Sequence, residues 1–204
     1  GIYVGRTVGS NSKSVAEHVI AMMFAESKNI YTTVRDVKQG GWKKPTGREI
    51  SGKTLGIIGF GQIGKHLATF ANGLGMSVLA YDVFEIADAV AEQYHVKKAG
   101  QEEIIRTCDY ISLHVPLLDS TRNMISTEEF RKMKNDACLI NAARGGIVDE
   151  EALYEALVKG EIRSACFDVY NFLLTPHTAA RSKESERRTC EMSSKIIMEQ
   201  LLGE

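Results

Sequence analysis

Gly56-Ile57-Ile58-Gly59-Phe60-Gly61-Gln62-Ile63-Gly64 decides how the chain folds. It carries the pattern G-x-G-x-x-G on Gly59, Gly61 and Gly64. Alone the pattern is weak, because a purely structural glycine turn can share it. Here an apolar run over 54–58 precedes it and a helical pattern over 62–74 follows, the strand–turn–helix setting of a dinucleotide site. Gly59 permits the tight turn, Gly61 lets the backbone approach a pyrophosphate, and Gly64 lets helix and strand pack closely. The amides of Gln62 and Ile63, at the positive end of the helix dipole, then point at the phosphates.

Downstream of this turn, strands and helices alternate. Strands are expected over 77–81, 110–113, 137–141, 164–167 and 172–174, and helices over 86–94, 102–107, 126–133, 150–159 and 182–202. Short apolar strands alternating with helices predict an α/β fold, a Rossmann doubly wound parallel sheet with helices on both faces. Upstream, residues 14–37 read as one long helix, with Ser14 and Glu17 as a capping box and Gly40-Gly41 beyond its end. Its first half is apolar nearly all round and should be buried on more than one side. Its second half is polar, which suits a crossing to a second subunit or domain.

Asp82 ends the strand after the glycine turn, close to the spacing of about 20 residues at which a carboxylate accepts the adenosine ribose hydroxyls. The same carboxylate would repel the extra phosphate of NADP, and neither Val83 nor Phe84 can pair with a phosphate, so NAD is favoured. An aspartate capping the next helix would read the same way.

Ligands of open parallel sheets bind beyond the carboxyl ends of the strands. Those ends carry Gly59, Asp82, His114-Val115-Pro116, Ala142-Ala143-Arg144-Gly145-Gly146, Asp168 and Thr175-Pro176-His177. Two of the three prolines fall among them and would shape a cleft. Arg144, set among small residues, can hold a carboxylate bidentately. His177 can serve as general acid–base near neutral pH. A turn arginine and a structural histidine are the plainer alternatives. His114 shapes its loop at least, and Asp168 either accepts from a nicotinamide amide or caps a turn.

Composition narrows the class further. The chain of 204 residues is 44% hydrophobic and 25% charged, with a formal net charge of -1. That balance gives no electrostatic case for nucleic acid or an anionic membrane. The longest apolar run, over 19–25, is far too short to span a bilayer, and no signal peptide opens the chain. Cys108, Cys138, Cys166 and Cys190 show no metal-binding spacing, so no metal is expected. Reduced, mostly buried cysteines fit a cytoplasmic protein.

Several motifs together resemble one family. Asn141-Ala142-Ala143-Arg144-Gly145-Gly146-Ile147-Val148-Asp149, Leu113-His114-Val115-Pro116-Leu117, Thr175-Pro176-His177-Thr178-Ala179-Ala180 and Ser14-Val15-Ala16-Glu17-His18 are similar to signatures of the D-2-hydroxyacid dehydrogenases, in the same order. Within that family the chain looks most like the phosphoglycerate dehydrogenase branch. The resemblance implies hydride transfer between NAD(H) and a small D-2-hydroxyacid or 2-keto acid, with 3-phosphoglycerate one candidate. It implies that Arg144 binds the substrate carboxylate and that His177 moves the proton. It places Gln62, Ile63, Asp82, Val115, Pro116, Ala142, Ala143, Asp168 and Ala180 among the NAD contacts. A homodimer formed through the first helix is also implied. Residues 1–204 then form one NAD-binding domain, with 1–50 as opening helix and dimer arm and 181–204 as closing helix.

Two departures from the family pattern stand out. Most of the family's substrate domain is absent from this stretch. The family also carries a glutamate shortly after the aspartate matching Asp168, whereas Asp168-Val169-Tyr170 here runs straight into Asn171-Phe172-Leu173-Leu174. Matching strands on both sides favour an unrecorded loop over a deletion. The rival expectation is an NAD-binding module, like the family's corepressors, that dimerises without turnover.

Overall fold

Six parallel strands make one sheet: β1 (Thr54–Ile58), β2 (Ser77–Tyr81), β3 (Lys97–Lys98), β4 (Tyr110–Leu113), β5 (Cys138–Asn141) and β6 (Ser164–Phe167). Their order is β3-β2-β1-β4-β5-β6. The chain winds outward from β1 through β2 to β3, then returns to lay β4 against the other side of β1. The carboxyl ends of β1 and β4 therefore flank the point where the winding reverses, which is where open sheets of this kind open a crevice. The computed structural model describes residues 5, 7–168 and 179–202. The expected strand over 172–174 lies outside them, as do Thr175, Pro176 and His177.

Helices α1 (Ser12–Ser27), α3 (Gln62–Gly73) and α4 (Asp88–Gln93) cover one face of the sheet; α5 (Gln101–Thr107), α6 (Thr127–Lys132) and α7 (Glu150–Lys159) cover the other. Strand side chains alternate between the two cores. Leu55, Ile57, Tyr110, Cys138, Ile140 and Cys166 face α1 and α3, whereas Ile58, Ile111, Leu113, Leu139 and Phe167 face α5, α6 and α7. Burial on both faces explains why these strands read as continuous apolar runs rather than alternating ones. A buried Leu, Ile or Phe contributes about 1.5–3 kcal/mol, and two such layers hold the strand ends in fixed register.

Helix ends follow local chemistry. Ser126 and Glu129 form a reciprocal capping box on α6. Asp149 accepts from the Ala152 amide at the start of α7, and Gly160 closes that helix in the left-handed conformation.

The structure departs from the sequence reading at three places. The expected helix over 14–37 is two helices, α1 and α2 (Ile30–Lys38). Asn29 breaks it with φ of 54°, a left-handed position that asparagine tolerates, and its side-chain amide donates to the Thr46 carbonyl at 3.2 Å. Ser14 is not an N-cap, because α1 starts earlier, with Asn11 at the cap position. Finally, β3 was not expected, since its two residues are both lysine and carry no apolar signal. Lys97 pairs with Glu103 and Lys98 with Asp88 on that edge.

Three of the four cysteines are buried and all four are free, with Cys190 exposed on α8 (Lys183–Leu202). Burial pushes the Cys108 thiol up to about 12. Among the described residues no group of His, Cys, Asp or Glu could hold a metal, and no helix is long and apolar enough to cross a membrane.

Candidate functional site

The glycine turn is shaped by backbone contacts. Gly59 has φ of +97°, and a Cβ there would sit 2.6 Å from the His114 carbonyl oxygen. At Gly64 a Cβ would lie 2.8 Å from the Gly59 carbonyl oxygen. Glycine at 59 thus lets the β1 and β4 turns touch, and glycine at 64 lets α3 dock under the turn. Gly61 differs: nothing lies within 4 Å of where its Cβ would be. That open side is where a ligand's phosphates could approach the chain. Gly61 is the N-cap of α3, no side chain caps that helix, and its first turn has no acidic residue. The Gln62 and Ile63 amides therefore offer an uncovered positive helix end to an anion.

Three cavities follow the strand ends in a row. The first, of about 310 Å³, is lined by Phe60, Gly61, Lys65, Asp82, Phe84 and their neighbours. The second, about 200 Å³, lies over Gly61, Gln62, Ile63 and Gly64 and reaches His114. The third, about 590 Å³, is walled by Ile63, His114, Val115, Pro116, Leu117, Ala142, Ala143, Arg144, Asp168, Ala179 and Ala180, with Asn11 and Val15 from the first helix. Gly61 is common to the first two cavities, and Ile63 and His114 to the last two. The result is one groove with the glycine turn at its middle.

At the first end, Asp82 accepts the Phe60 amide at 2.7 Å and the Phe84 amide at 3.1 Å. The carboxylate is thereby fixed at the groove edge beside Val83 and Phe84, both strongly exposed. At the junction of the second and third compartments, the His114 Nε2 lies 2.8 Å from the Ser112 hydroxyl. Its Nδ1 is shut off from solvent and has no hydrogen-bond partner among the described residues. Burial pushes the imidazole pKa down to about 4, so the ring is neutral near pH 7. A buried polar atom left orphaned is uncommon, and one placed between two cavities fits a groove built around a ligand.

At the far end, Arg144 is exposed, and its Nη1 donates to the Ala143 carbonyl at 2.7 Å. The loop beneath it is braced by Asn141, which is 1% exposed. The Asn141 side chain accepts the Ala143 amide at 3.1 Å and donates to the Arg144 carbonyl at 2.9 Å. An asparagine hydrogen-bonded two residues ahead builds a tight turn. In the sequence, the signal for this bracing role is the position of Asn141 at a strand end before small residues. Asp168 is fully buried, accepts the Ala179 amide at 2.9 Å, and lies 3.7 Å from His18 Nε2.

Of the expected residues, Gly61, Gln62, Ile63, Gly64, Asp82, Val115, Pro116, Ala142, Ala143, Arg144, Asp168 and Ala180 line this groove, and Gly59 forms the turn below it. His177 lies outside the described residues.

Residues 20–184 match the model of the D-isomer specific 2-hydroxyacid dehydrogenase NAD binding domain. A D-3-phosphoglycerate dehydrogenase of Archaeoglobus fulgidus is 41% identical over 91% of this chain. A hydroxypyruvate reductase of Thermotoga maritima is 37% identical over 98% of it. The chain spans only 38% of the first relative's length and 70% of the second's. The crystal structure of a D-lactate dehydrogenase with NAD+ from Lactobacillus jensenii superposes with a TM-score of 0.85 at 34% identity, over 95% of this chain and 67% of that one.

Proposed function

This chain belongs to the D-isomer specific 2-hydroxyacid dehydrogenase family, of which it is the NAD-binding domain, and on that premise we propose that it serves an oxidoreductase acting on a small D-2-hydroxyacid or its 2-keto acid. The observation that carries the proposal is the groove that runs from Asp82 across the glycine turn to Arg144. Its fixed carboxylate, uncovered helix end and cation follow the order ribose, pyrophosphate, substrate acid along a bound dinucleotide.

The bound nicotinamide would supply hydride exchange with the hydroxyl-bearing carbon. Asp82 would hold the adenosine ribose and disfavour an added 2′-phosphate. The amides of Gln62 and Ile63 would hold the pyrophosphate. Ala142, Ala143, Val115, Pro116 and Ala180 would give a close, largely apolar bed that excludes water from the hydride path. Asp168 would accept from the carboxamide. Arg144 would leave the Ala143 carbonyl to clamp the substrate carboxylate, and His177 would exchange the proton with the substrate oxygen.

Relatives that act on phosphoglycerate, hydroxypyruvate and glyoxylate all match over most of this chain. They support the acid class and not one acid. The unpartnered apolar face of α2 supports a homodimer, and the buried free thiols support a cytoplasmic, reducing setting.

The test is titration with NADH followed by NADH oxidation over a panel of 2-keto acids, with the intact mass measured on the same sample. Binding with turnover supports the full proposal. Binding without turnover restricts it to a cofactor-binding domain whose catalysis needs a substrate domain. Failure to bind NADH removes it.

A further inference from the structure

Ser14 looks like a helix cap in the sequence, yet it sits inside α1, is 8% exposed, and donates its hydroxyl to the Ala179 carbonyl at 2.7 Å. The amide of the same residue, Ala179, donates to the Asp168 carboxylate at 2.9 Å. Both polar atoms of Ala179 are thus held, one from the first helix and one from the end of β6. Asp168 is tied to β5 as well, its amide donating to the Asn141 carbonyl at 3.0 Å. One turn further along α1, the His18 Nε2 lies 3.7 Å from the other carboxylate oxygen of Asp168, Oδ1, beyond hydrogen-bond length. Ala179 and Ala180 line the large cavity together with Val115 and Pro116.

We infer that Ser14 is a positioning residue for the nicotinamide end of the groove: with Asp168 it clamps the Ala179 peptide and sets the wall on which the nicotinamide ring is laid. The inference rests on the cofactor reading above. Its physical basis is that a flat ring needs a wall fixed to a fraction of an ångström. Ala179 and Ala180 have no side chain long enough to fix themselves, so their place is set by what holds their backbone. A hydrogen bond from a hydroxyl carried on a rigid, buried helix does this better than one from a loop. The adenosine half lies at the other end of the groove and makes no use of this contact.

That asymmetry supplies the test. NADH and ADP-ribose share the adenosine and pyrophosphate portions, and only NADH carries the nicotinamide. Dissociation constants for both are measured on wild type and Ser14→Ala, NADH by its own fluorescence and ADP-ribose by displacement. The clamp predicts that Ser14→Ala weakens NADH about tenfold, leaves ADP-ribose within about twofold, and reduces the enhancement of bound NADH emission. If Ser14→Ala does not fold, Ser14→Cys, which keeps the volume and weakens the donor, shifts the ratio in the same direction. An unchanged ratio, or an equal loss for both ligands, overturns the clamp and leaves the cofactor reading intact. A wild-type protein that binds NADH no better than ADP-ribose also overturns the clamp alone, and one that binds neither overturns both.

Discussion

The turn after β1 and the turn after β5 lie on the same edge of the sheet with β4 between them, and both carry a glycine cluster, yet they are built on opposite plans. The β1 turn works through backbone. Gly59 is packed against the His114 carbonyl and Gly64 against the Gly59 carbonyl, Gly61 stays open, and the groups the turn offers a ligand are amides at the start of α3. The β5 turn works through a side chain. Asn141 braces its backbone, and Arg144 lies exposed with its guanidinium folded onto the Ala143 carbonyl. Backbone amides are already in place before a ligand arrives, whereas the guanidinium must leave one acceptor to take another. On the proposed reading, cofactor recognition would be preformed and substrate recognition would require a rearrangement.

Gly59→Ala strikes the backbone plan most directly. A Cβ at φ of +97° and 2.6 Å from a carbonyl oxygen adds left-handed strain to overpacking, together about 3–4 kcal/mol. Chemical denaturation should show that loss along with weakened NADH binding. A variant that keeps both at wild-type levels would show that the turn is softer than its contacts indicate.

Arg144→Ala tests the other plan and should separate the two. Turnover of a 2-keto acid, in protein that shows it, should fall at least about 100-fold, equivalent to roughly 3 kcal/mol of lost carboxylate recognition. NADH affinity and unfolding free energy should stay near wild type, because the guanidinium is exposed and its present partner is the neighbouring carbonyl. A matching drop in NADH affinity would place Arg144 in the cofactor machinery instead.

The junction between the turns has its own pH signature. His114 is held neutral, its pKa depressed from 6.5 to about 4 by burial. Between those values the unfolded chain binds the extra proton and the folded chain does not, so stability is present above pH 6.5 and declines as pH falls through that window. The decline attributable to this residue is at most about 3 kcal/mol. His114→Gln should flatten that part of the stability–pH curve, and an identical slope in the variant would assign it to other groups.

The smallest expected effect is at Asp82. Asp82→Ala removes the acceptor for the Phe60 and Phe84 amides and should cost about 1–2 kcal/mol of stability. It should also narrow the preference for NADH over NADPH, read as a ratio of dissociation constants. An unchanged ratio would leave Asp82 with a purely structural role in the β2 turn.

Much of this arrangement is legible in the sequence, and the exceptions have physical reasons. The limits of β1, β2, β4 and β6 match their apolar runs because most residues in them enter one of the two cores, and those of α7 match because the Asp149 cap and Gly160 bound it. The groove residues were legible because strand-end chemistry in a parallel sheet converges on one edge. The break at Asn29 was missed because asparagine reads as an ordinary polar position on a helix whose second half is polar anyway. Ser14 was misassigned because a serine with a glutamate three residues later fits a cap. Only the return of the chain at Ala179 shows that the hydroxyl is needed elsewhere. Arg144's folded-back pose has no sequence signal, since it depends on what else is present at the groove.

The sheet's short edge also shapes what the protein does at high concentration. A parallel sheet can lengthen by adding another chain's strand to an open edge. Here the edge is β3, two lysines long, each tied to an acidic neighbour. An incoming strand would find almost no ladder to join and two ammonium groups to desolvate. Fibrillar growth from this side is thereby discouraged. On a helical surface, by contrast, α2 presents Ile30, Val34 and Val37 to solvent, apolar groups whose burial against another chain would cost no such desolvation.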